Sequence, residues 1–235
     1  MPEKNRVLLL TNDDGVEAPG LKALFEATAN HGDRKVVAPR FHASGCSHAV
    51  TISGPIRIER RSQNETAVHG SPADCVRIAL TRLEPGFDWV VSGINEGGNL
   101  GSDVFHSGTV AAVREAVLRG RPGIAISHYK ARGRSIDWRR ASDWAARVIA
   151  DLIERPWEPG TFWNVNLPHP GPEILEPEFV FCPLDPSPLP LEFRFENDGE
   201  LAHYCGDYQG RERIPGADID VCFGGRIAVS LIRVS

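Results

Sequence analysis

The chain has 235 residues, of which 41% are hydrophobic and 24% charged, and 26 basic against 31 acidic residues give a net charge of −5. This composition is typical of a globular protein and excludes an intrinsically disordered chain. Without a basic tail or stripe, duplex nucleic acid is not expected as a partner. No apolar stretch approaches the roughly 20 residues of a membrane span, so a membrane partner is not expected either.

The cysteine pattern predicts a reducing compartment. The chain has five cysteines, an odd number with no closely spaced pair. This argues against both a structural zinc site and a disulfide scaffold. The first residues lead into a strand rather than into an apolar signal core. We therefore expect reduced thiols and a cytoplasmic protein.

Strands and helices are predicted to alternate over the first two-thirds of the chain. Short apolar runs predict buried strands at residues 6–10, 35–39, 88–93, 123–127 and 162–166. Helical spacing of apolar residues predicts helices at 20–27, 109–119 and 136–154. This alternation predicts an α/β fold, a Rossmann-like arrangement of three layers around a mostly parallel sheet.

The C-terminal part has a different pattern. Residues 168–192 are rich in proline, and residues 193–235 alternate in short β-like segments, such as 221–223 and 226–230. We expect one domain over residues 1–235, with an α/β core at about 5–168 and a β-rich extension at about 177–235. The tail is either an extension of the fold or an arm that packs on a partner subunit.

Two adjacent carboxylates, Asp13 and Asp14, follow the first predicted strand. In open α/β sheets, ligands bind outside the carboxyl ends of the strands. Neighbouring carboxylates repel each other, and a fold keeps them together most readily where a cation neutralises them. The sequence Asn-Asp-Asp-Gly is also good turn chemistry. Taken alone, the pair is compatible with a turn and with a metal site.

Two further loops favour the metal site. Residues 40–48 follow the second strand and include Ser44, and residues 94–101 follow the strand at 88–93 and include Asn95. Four glycines between positions 93 and 101 suit a backbone that approaches a ligand closely. Carboxylate, hydroxyl and amide oxygens from three strand ends form a hard-oxygen site, which suits Mg²⁺ or Mn²⁺.

A phosphate site is predicted beside the metal site. Ser107, Gly108 and Thr109 stand at the start of the helix predicted at 109–119. The free N–H groups and the positive dipole end of a helix N-terminus favour phosphate. Ser107 could instead be only the N-cap of that helix. The neighbouring metal site and glycine-rich loop favour the phosphate interpretation.

Several motifs in one order give a specific resemblance. They are LTNDDGVEAPG at 10–20, VAP at 37–39 with SG at 44–45, GSPADCV at 70–76, SGIN at 92–95, GxNxGxD at 97–103 and SGTV at 107–110. With weaker similarity at 164–166 and 216–218, the chain resembles the SurE family of nucleoside monophosphatases. The ordered match covers most of residues 6–127.

The resemblance implies a metal-dependent phosphatase that acts on nucleoside 5′- and 3′-monophosphates and sometimes on short polyphosphate. It also implies one divalent ion per subunit and a homodimer or homotetramer in which a C-terminal segment is exchanged. The residues implied as metal ligands are Asp13, Asp14, Ser44 and Asn95. Those implied as phosphate-binding residues are Asn99, Ser107, Gly108 and Thr109.

The resemblance has departures at Arg40, Ala43 and Glu96, where the family commonly has an acidic, a basic and a basic residue. They leave open a SurE-like protein that binds nucleotide or phosphate with reduced or altered activity, such as polyphosphate hydrolysis. A phosphorylated receiver domain would need an aspartate where Asn95 stands. A dinucleotide-dependent oxidoreductase would need GxGxxG after the first strand, and the chain lacks it there.

The expected reaction is hydrolysis of a phosphomonoester by in-line attack of a water that the divalent ion activates. Asp13 is the candidate acceptor of the water's proton, and Asp14 is mainly a ligand. The N–H groups near Ser107, together with Asn99, are expected to stabilise charge on the equatorial oxygens. A covalent aspartyl-phosphate at Asp13 is the open alternative.

Overall fold

The computed structural model describes residues 6–171, 174 and 176–234. Its strands are Val7–Thr11 (β1), Asp33–Pro39 (β2), Ile58–Arg60 (β3), Glu65–Val68 (β4), Trp89–Glu96 (β5), Gly123–His128 (β6), Thr161–Leu167 (β7), Phe179–Phe181 (β8), Phe193–Glu196 (β9), Leu201–Tyr204 (β10) and Ile227–Arg233 (β11). Its α-helices are Pro19–Ala27 (α1), Pro72–Ile78 (α2), Gly108–Leu118 (α3), Trp138–Ile153 (α4) and Asp218–Phe223 (α5).

Nine of these strands form one sheet in the order β3-β4-β2-β1-β5-β6-β7-β11-β8. Neighbouring strands are parallel except at two places, where β3 pairs antiparallel with β4 and β11 pairs antiparallel with β7. The α/β fold with a mostly parallel sheet is therefore confirmed. The sheet brings the carboxyl ends of β1, β2, β5 and β6 to one edge.

The continuous apolar run of β1 reflects a strand that is covered on both faces. Leu8 and Leu10 pack into the core cluster that includes the apolar sides of α1 and α4. Leu9, between them, packs into the other cluster, with α2 and α3. Successive side chains of a strand point to opposite faces, so both faces of β1 must be apolar. The helices on the two faces give the three layers.

Strand β5 extends further than its apolar run indicates. The predicted strand ends at residue 93, whereas β5 continues through an irregularity in its pairing with β6 to Glu96. Asn95 therefore lies in the strand, opposite Ser127, rather than in the following loop. Membership of the strand fixes the backbone of a predicted ligand residue more firmly than a loop would.

In the C-terminal segment, one predicted element is wrong and another is confirmed. Residues 221–223, expected to be β-like, belong to helix α5. The Asp218 carboxylate accepts the N–H of Ile219 and also those of Gly101 and Asp185, which anchors the start of this helix. The strand expected at 226–230 is present as β11, and it lies inside the main sheet, between β7 and β8.

Strands β9 and β10 form a separate antiparallel hairpin outside the main sheet. Four of its large apolar side chains are exposed, namely Phe193, Phe195, Leu201 and Tyr204. The tail thus contributes both strands of the main sheet and a projecting hairpin. In the part of the chain that the structure describes, no helix has the length and apolarity required to cross a bilayer.

Candidate active site

Asp13 lies at the carboxyl end of β1 with its side chain almost fully buried, at 4% exposure. Its Oδ1 accepts a hydrogen bond of 2.5 Å from the hydroxyl of Thr109 in the first turn of α3. Burial raises the pKa of Asp13 to about 6, opposed by the Thr109 hydrogen bond and reinforced by the charge of Asp14. A carboxylate with such a pKa can exchange a proton near neutral pH.

Asp14 is more accessible and is held by the end of β5. Its Oδ2 accepts the backbone N–H of Glu96 at 3.2 Å, and its Oδ1 lies 3.5 Å from Nδ1 of His42. Burial also raises the pKa of Asp14. The turn expected at this point is present as well, because the Asn12 side chain bonds the carbonyl and the N–H of Gly15. The turn and the acidic pair occupy the same segment.

The loop after β2 brings Ser44 to the acidic pair. The backbone N–H of Ala43 donates to the carbonyl oxygen of Asp13 at 2.7 Å, so the next residue lies beside β1. From the other side, the amide nitrogen of Asn95 donates to the carbonyl of Gly97 at 2.8 Å. This bond occupies the nitrogen, and the amide oxygen of Asn95 is the atom left to act as a ligand.

A cavity of about 290 Å³ connects the predicted metal and phosphate residues, and we call it the Asp13 cavity. Its predicted members are Asp13, Ser44, Asn95, Asn99 and Ser107. Asp14 lines a neighbouring cavity of about 410 Å³, the Asp14 cavity, which shares Ser44 and Glu96 with the first. The structure thus places six of the eight predicted residues on the walls of two adjoining cavities.

The other two predicted residues, Gly108 and Thr109, lie next to Asp13 in the first turn of α3. The Thr109 hydroxyl is bonded to Asp13, so for a phosphate this residue offers its backbone N–H. A Cβ added at Gly108 would lie 2.8 Å from the Cβ of Asp13. Ser107 is the N-cap of α3, since its hydroxyl accepts the N–H of Val110 at 3.1 Å. It therefore both caps the helix and lines the Asp13 cavity.

Three buried side chains that were not assigned to the site from sequence hold Asn99 in place. Asn166 Oδ1 accepts the backbone N–H of Asn99, while the amide nitrogens of Asn164 and Asn166 both donate to its carbonyl. The Asn99 side chain in turn donates to the hydroxyl of Ser127 at 2.7 Å. Two asparagines two residues apart on a strand share one face, and this spacing was the available sequence signal.

Replacing Asn166 by alanine is expected to lower turnover about tenfold and to lower the melting temperature by a few degrees. The change removes two hydrogen bonds to the buried backbone of Asn99, and each unsatisfied buried group costs about 1–3 kcal/mol. Steady-state kinetics and thermal melting test this. Asn30→Ala, at an exposed position outside both cavities, is the control. Unchanged kinetics in Asn166→Ala would contradict the role given to this residue.

The C-terminal segment also contacts the site. Asp103 lines the Asp13 cavity, and its carboxylate accepts the N–H of Leu100, the phenol of Tyr208 and the buried guanidinium of Arg211. Burial and the Asp103 charge raise the pKa of Tyr208, so its hydroxyl is a donor at neutral pH. No pattern in the sequence indicated that residues after 200 would reach the loop at Leu100.

The donor atoms around Asp13 fit a hard divalent cation. Among the described residues, no lysine or arginine lies within ion-pair distance of Asp13 or Asp14, and Glu96 adds another negative charge near Asp14. The described chain also has no group of three or more His, Cys, Asp or Glu arranged for a metal. Here two carboxylates are combined with the oxygens of Ser44 and Asn95, which are ligands that Mg²⁺ and Mn²⁺ accept.

These features define a class of protein: an open α/β sheet with carboxylate-lined cavities at the carboxyl edge of its parallel strands, where such folds bind ligands. The family model described as survival protein SurE matches residues 8–183. The chain belongs to the SurE family.

Relatives and a solved structure agree with this membership. A protein of Nostoc sp., named provisionally as a 5′-nucleotidase, is 52% identical over 97% of this chain and 99% of its own length. The 5′-nucleotidase SurE of Methylobacterium sp. (strain 4-46) is 37% identical over 97% of this chain and 93% of its own length. The crystal structure of the SurE protein from Aquifex aeolicus has a TM-score of 0.85 at 28% identity, covering 97% of this chain and 94% of that one.

Proposed function

We propose that the protein is a metal-dependent nucleotidase that hydrolyses nucleoside 5′-monophosphates to nucleoside and phosphate. The names of the family relatives support this enzyme class. The observation that carries the proposal is the Asp13 cavity, where a buried carboxylate, small polar side chains and a helix N-terminus meet. Nucleoside 3′-monophosphates and short polyphosphate are the further substrates to test.

The metal proposed is one Mg²⁺ or Mn²⁺ per subunit, and the residues that would hold it are Asp13, Asp14, Ser44 and Asn95. When bound, a divalent cation supplies positive charge that polarises a phosphoryl group and favours hydrolysis. The buried position of Asp13 beside Asp14 supports this assignment, because two neighbouring carboxylates are costly to keep charged without a cation.

The chain's own residues would bind the phosphate and move the proton. Helix α3 begins at Gly108, and the first N–H groups of a helix have no partner within it. These groups, with Ser107 and Asn99, are suited to the equatorial oxygens of a phosphoryl group in transfer. Asp13 would accept the proton of the attacking water, and Thr109 holds its carboxylate in place.

Phosphate release from a panel of nucleoside 5′- and 3′-monophosphates and tripolyphosphate tests the proposal. Each assay would be run with Mg²⁺, with Mn²⁺ and with a chelator. We expect chelator-sensitive release from the 5′-monophosphates. Release of phosphate that persists in chelator would contradict the proposed metal dependence. No release from any substrate by folded, metal-supplemented protein would favour the alternative of a SurE-like binding protein, for which the unusual residue Glu96 on the cavity wall is the motivating observation.

We also propose that the protein is a homodimer or homotetramer assembled through the β9–β10 hairpin. Exposed apolar clusters on a monomer commonly mark interfaces, and Phe193 and Phe195 are 45% and 64% exposed. Phe193→Glu with Phe195→Glu is expected to reduce the mass measured by size exclusion with light scattering. Ile52→Glu, at a residue that is 88% exposed elsewhere, is the control. An unchanged mass in the double variant would exclude the hairpin as the interface.

The organisation and location of the chain are further proposals. We expect a single domain, because β8 and β11 from the C-terminal segment complete the sheet begun by β1. We expect the protein to be located in the cytoplasm, because all five cysteines are unpaired in the structure. Limited proteolysis and fractionation of cells test these two proposals.

A further inference from the structure

The Asp14 cavity adjoins the Asp13 cavity, and the proposed hydrolysis uses only the part of its wall that Asp14 and Ser44 form. It measures about 410 Å³ and shares Ser44 and Glu96 with the Asp13 cavity. Cavities that bind small ligands begin at roughly 300 Å³. A ligand whose phosphate occupies the Asp13 cavity can therefore extend past Ser44 and Glu96 into the Asp14 cavity.

An indole ring forms part of the far wall of the Asp14 cavity. Trp138 lines it and is partly exposed, although it also packs against the core cluster. Trp138 is the first residue of α4, and the Asp137 carboxylate caps this helix by accepting two N–H groups at 3.1 Å. The ring approaches Gly20 so closely that a Cβ there would lie 3.1 Å from it. The indole is therefore held in place.

A carboxylate stands where the two cavities meet. Glu96 lines both, and its side chain, 43% exposed, pairs with Lys130 at 2.5 Å. Its backbone N–H donates a hydrogen bond to Oδ2 of Asp14. A carboxylate accepts hydrogen bonds, so it can bind the free hydroxyls of a sugar. It also repels a second phosphate placed at the same point.

From this geometry we infer that the Asp14 cavity is the nucleoside subsite, in which the base stacks on Trp138 and the ribose hydroxyls donate to Glu96. The inference rests on the proposed function and adds to it the residues that recognise the leaving nucleoside. Aromatic side chains stack on any base, because every base has a π face. The subsite therefore recognises nucleotides as a class, and Glu96 selects those whose ribose hydroxyls are free.

The first test compares adenosine 5′-monophosphate with ribose 5-phosphate, which has the same phosphate and sugar but no base. Trp138→Ala is expected to lower kcat/KM for the nucleotide about tenfold relative to ribose 5-phosphate, and Trp138→Phe is expected to restore most of that loss. Calorimetric binding of adenosine should weaken by a similar factor in Trp138→Ala. Trp157→Ala is the matched control, since Trp157 lies outside both cavities and bonds the carbonyl of Thr161 at the start of β7.

The second test concerns Glu96. Glu96→Gln is expected to raise kcat/KM for adenosine 3′,5′-bisphosphate about tenfold relative to the 5′-monophosphate, because it removes the repelling charge and releases Lys130. An unchanged ratio would overturn the role of Glu96.

The outcomes separate this inference from the proposed function. If the natural protein releases phosphate from neither adenosine 5′-monophosphate nor ribose 5-phosphate, the proposed function itself fails. Alternatively, the natural protein hydrolyses the nucleotide, and Trp138→Ala changes kcat/KM for both substrates by the same factor or for neither. The nucleoside subsite is then wrong, while the proposed nucleotidase activity stands.

Discussion

Replacing Asp13 by asparagine is expected to lower turnover about a thousandfold or more and, at the same time, to stabilise the metal-free protein at neutral pH. The loss of turnover follows from the proposed role of Asp13, because the change removes both the proposed proton acceptor and one proposed metal ligand. The gain in stability follows from the burial of Asp13, because its charged form is disfavoured in the folded protein. An asparagine can still accept the hydrogen bond from Thr109.

The direction of the pH effect follows from the difference between the pKa of Asp13 in the folded protein and its pKa in the unfolded chain. The folded pKa is about 6 and the ordinary value is 3.8, so between these values the folded protein binds more protons than the unfolded chain. In that interval the free energy of unfolding falls as pH rises, and the loss is complete above pH 6. Asparagine does not titrate, so the variant avoids this loss.

Thermal melting in chelator from pH 4 to 8 provides the measurement. The natural protein should melt at lower temperature as pH rises through the interval, and Asp13→Asn should melt about 5 °C higher than it at pH 7.5. Asp143→Asn, at an exposed position on α4, should behave like the natural protein. Near-normal turnover in Asp13→Asn would disprove its catalytic role. Mass spectrometry of acid-quenched enzyme would detect the alternative, a phosphorylated Asp13.

Replacing Gly108 by alanine is the second change with a large expected effect, a loss of about a hundredfold in kcat with the fold retained. The added Cβ would lie 2.8 Å from Cβ of Asp13 and 3.0 Å from its Oδ2, so the carboxylate must move. A displacement of about 1 Å in a reacting group can cost about a hundredfold in rate. Gly108 begins α3 with a helical backbone, and alanine is the better helix former, which offsets part of the strain.

Steady-state kinetics and thermal melting of Gly108→Ala distinguish a displaced carboxylate from a damaged fold. Gly86→Ala is the matched control, because a Cβ at Gly86 meets no atom within 4 Å. We expect Gly86→Ala to retain full activity. If Gly108→Ala keeps normal kcat, the close approach of α3 to Asp13 has no part in catalysis.

The features that the sequence predicted well depend on local patterns. The run in β1 is apolar throughout because Leu8, Leu9 and Leu10 alternate between two buried faces, and this is visible in five residues. The acidic pair was placed at the right edge because carboxyl ends of parallel strands coincide. The assignment of ligand roles to these residues is still a prediction.

The features that the sequence did not predict depend on contacts between distant residues. Residues 221–223 are apolar and suggested a strand, but Asp218 begins a helix there by bonding Gly101, 117 positions earlier in the chain. The position of β11 between β7 and β8 is likewise a property of the assembled sheet. The anchoring of Asn99 by Asn164 and Asn166 becomes evident only when β7 lies beside the loop.

The contacts of Tyr208, Arg211 and Asp218 with the loop at Leu100–Asp103 have a consequence for the order in which the protein becomes functional. During synthesis the acidic pair leaves the ribosome well before Tyr208, Arg211 and Asp218, which hold this loop. A nascent or C-terminally truncated chain would carry the acidic pair beside an unanchored loop. We therefore expect ligand binding to reach its full strength only after residues 208–218 have folded onto this loop.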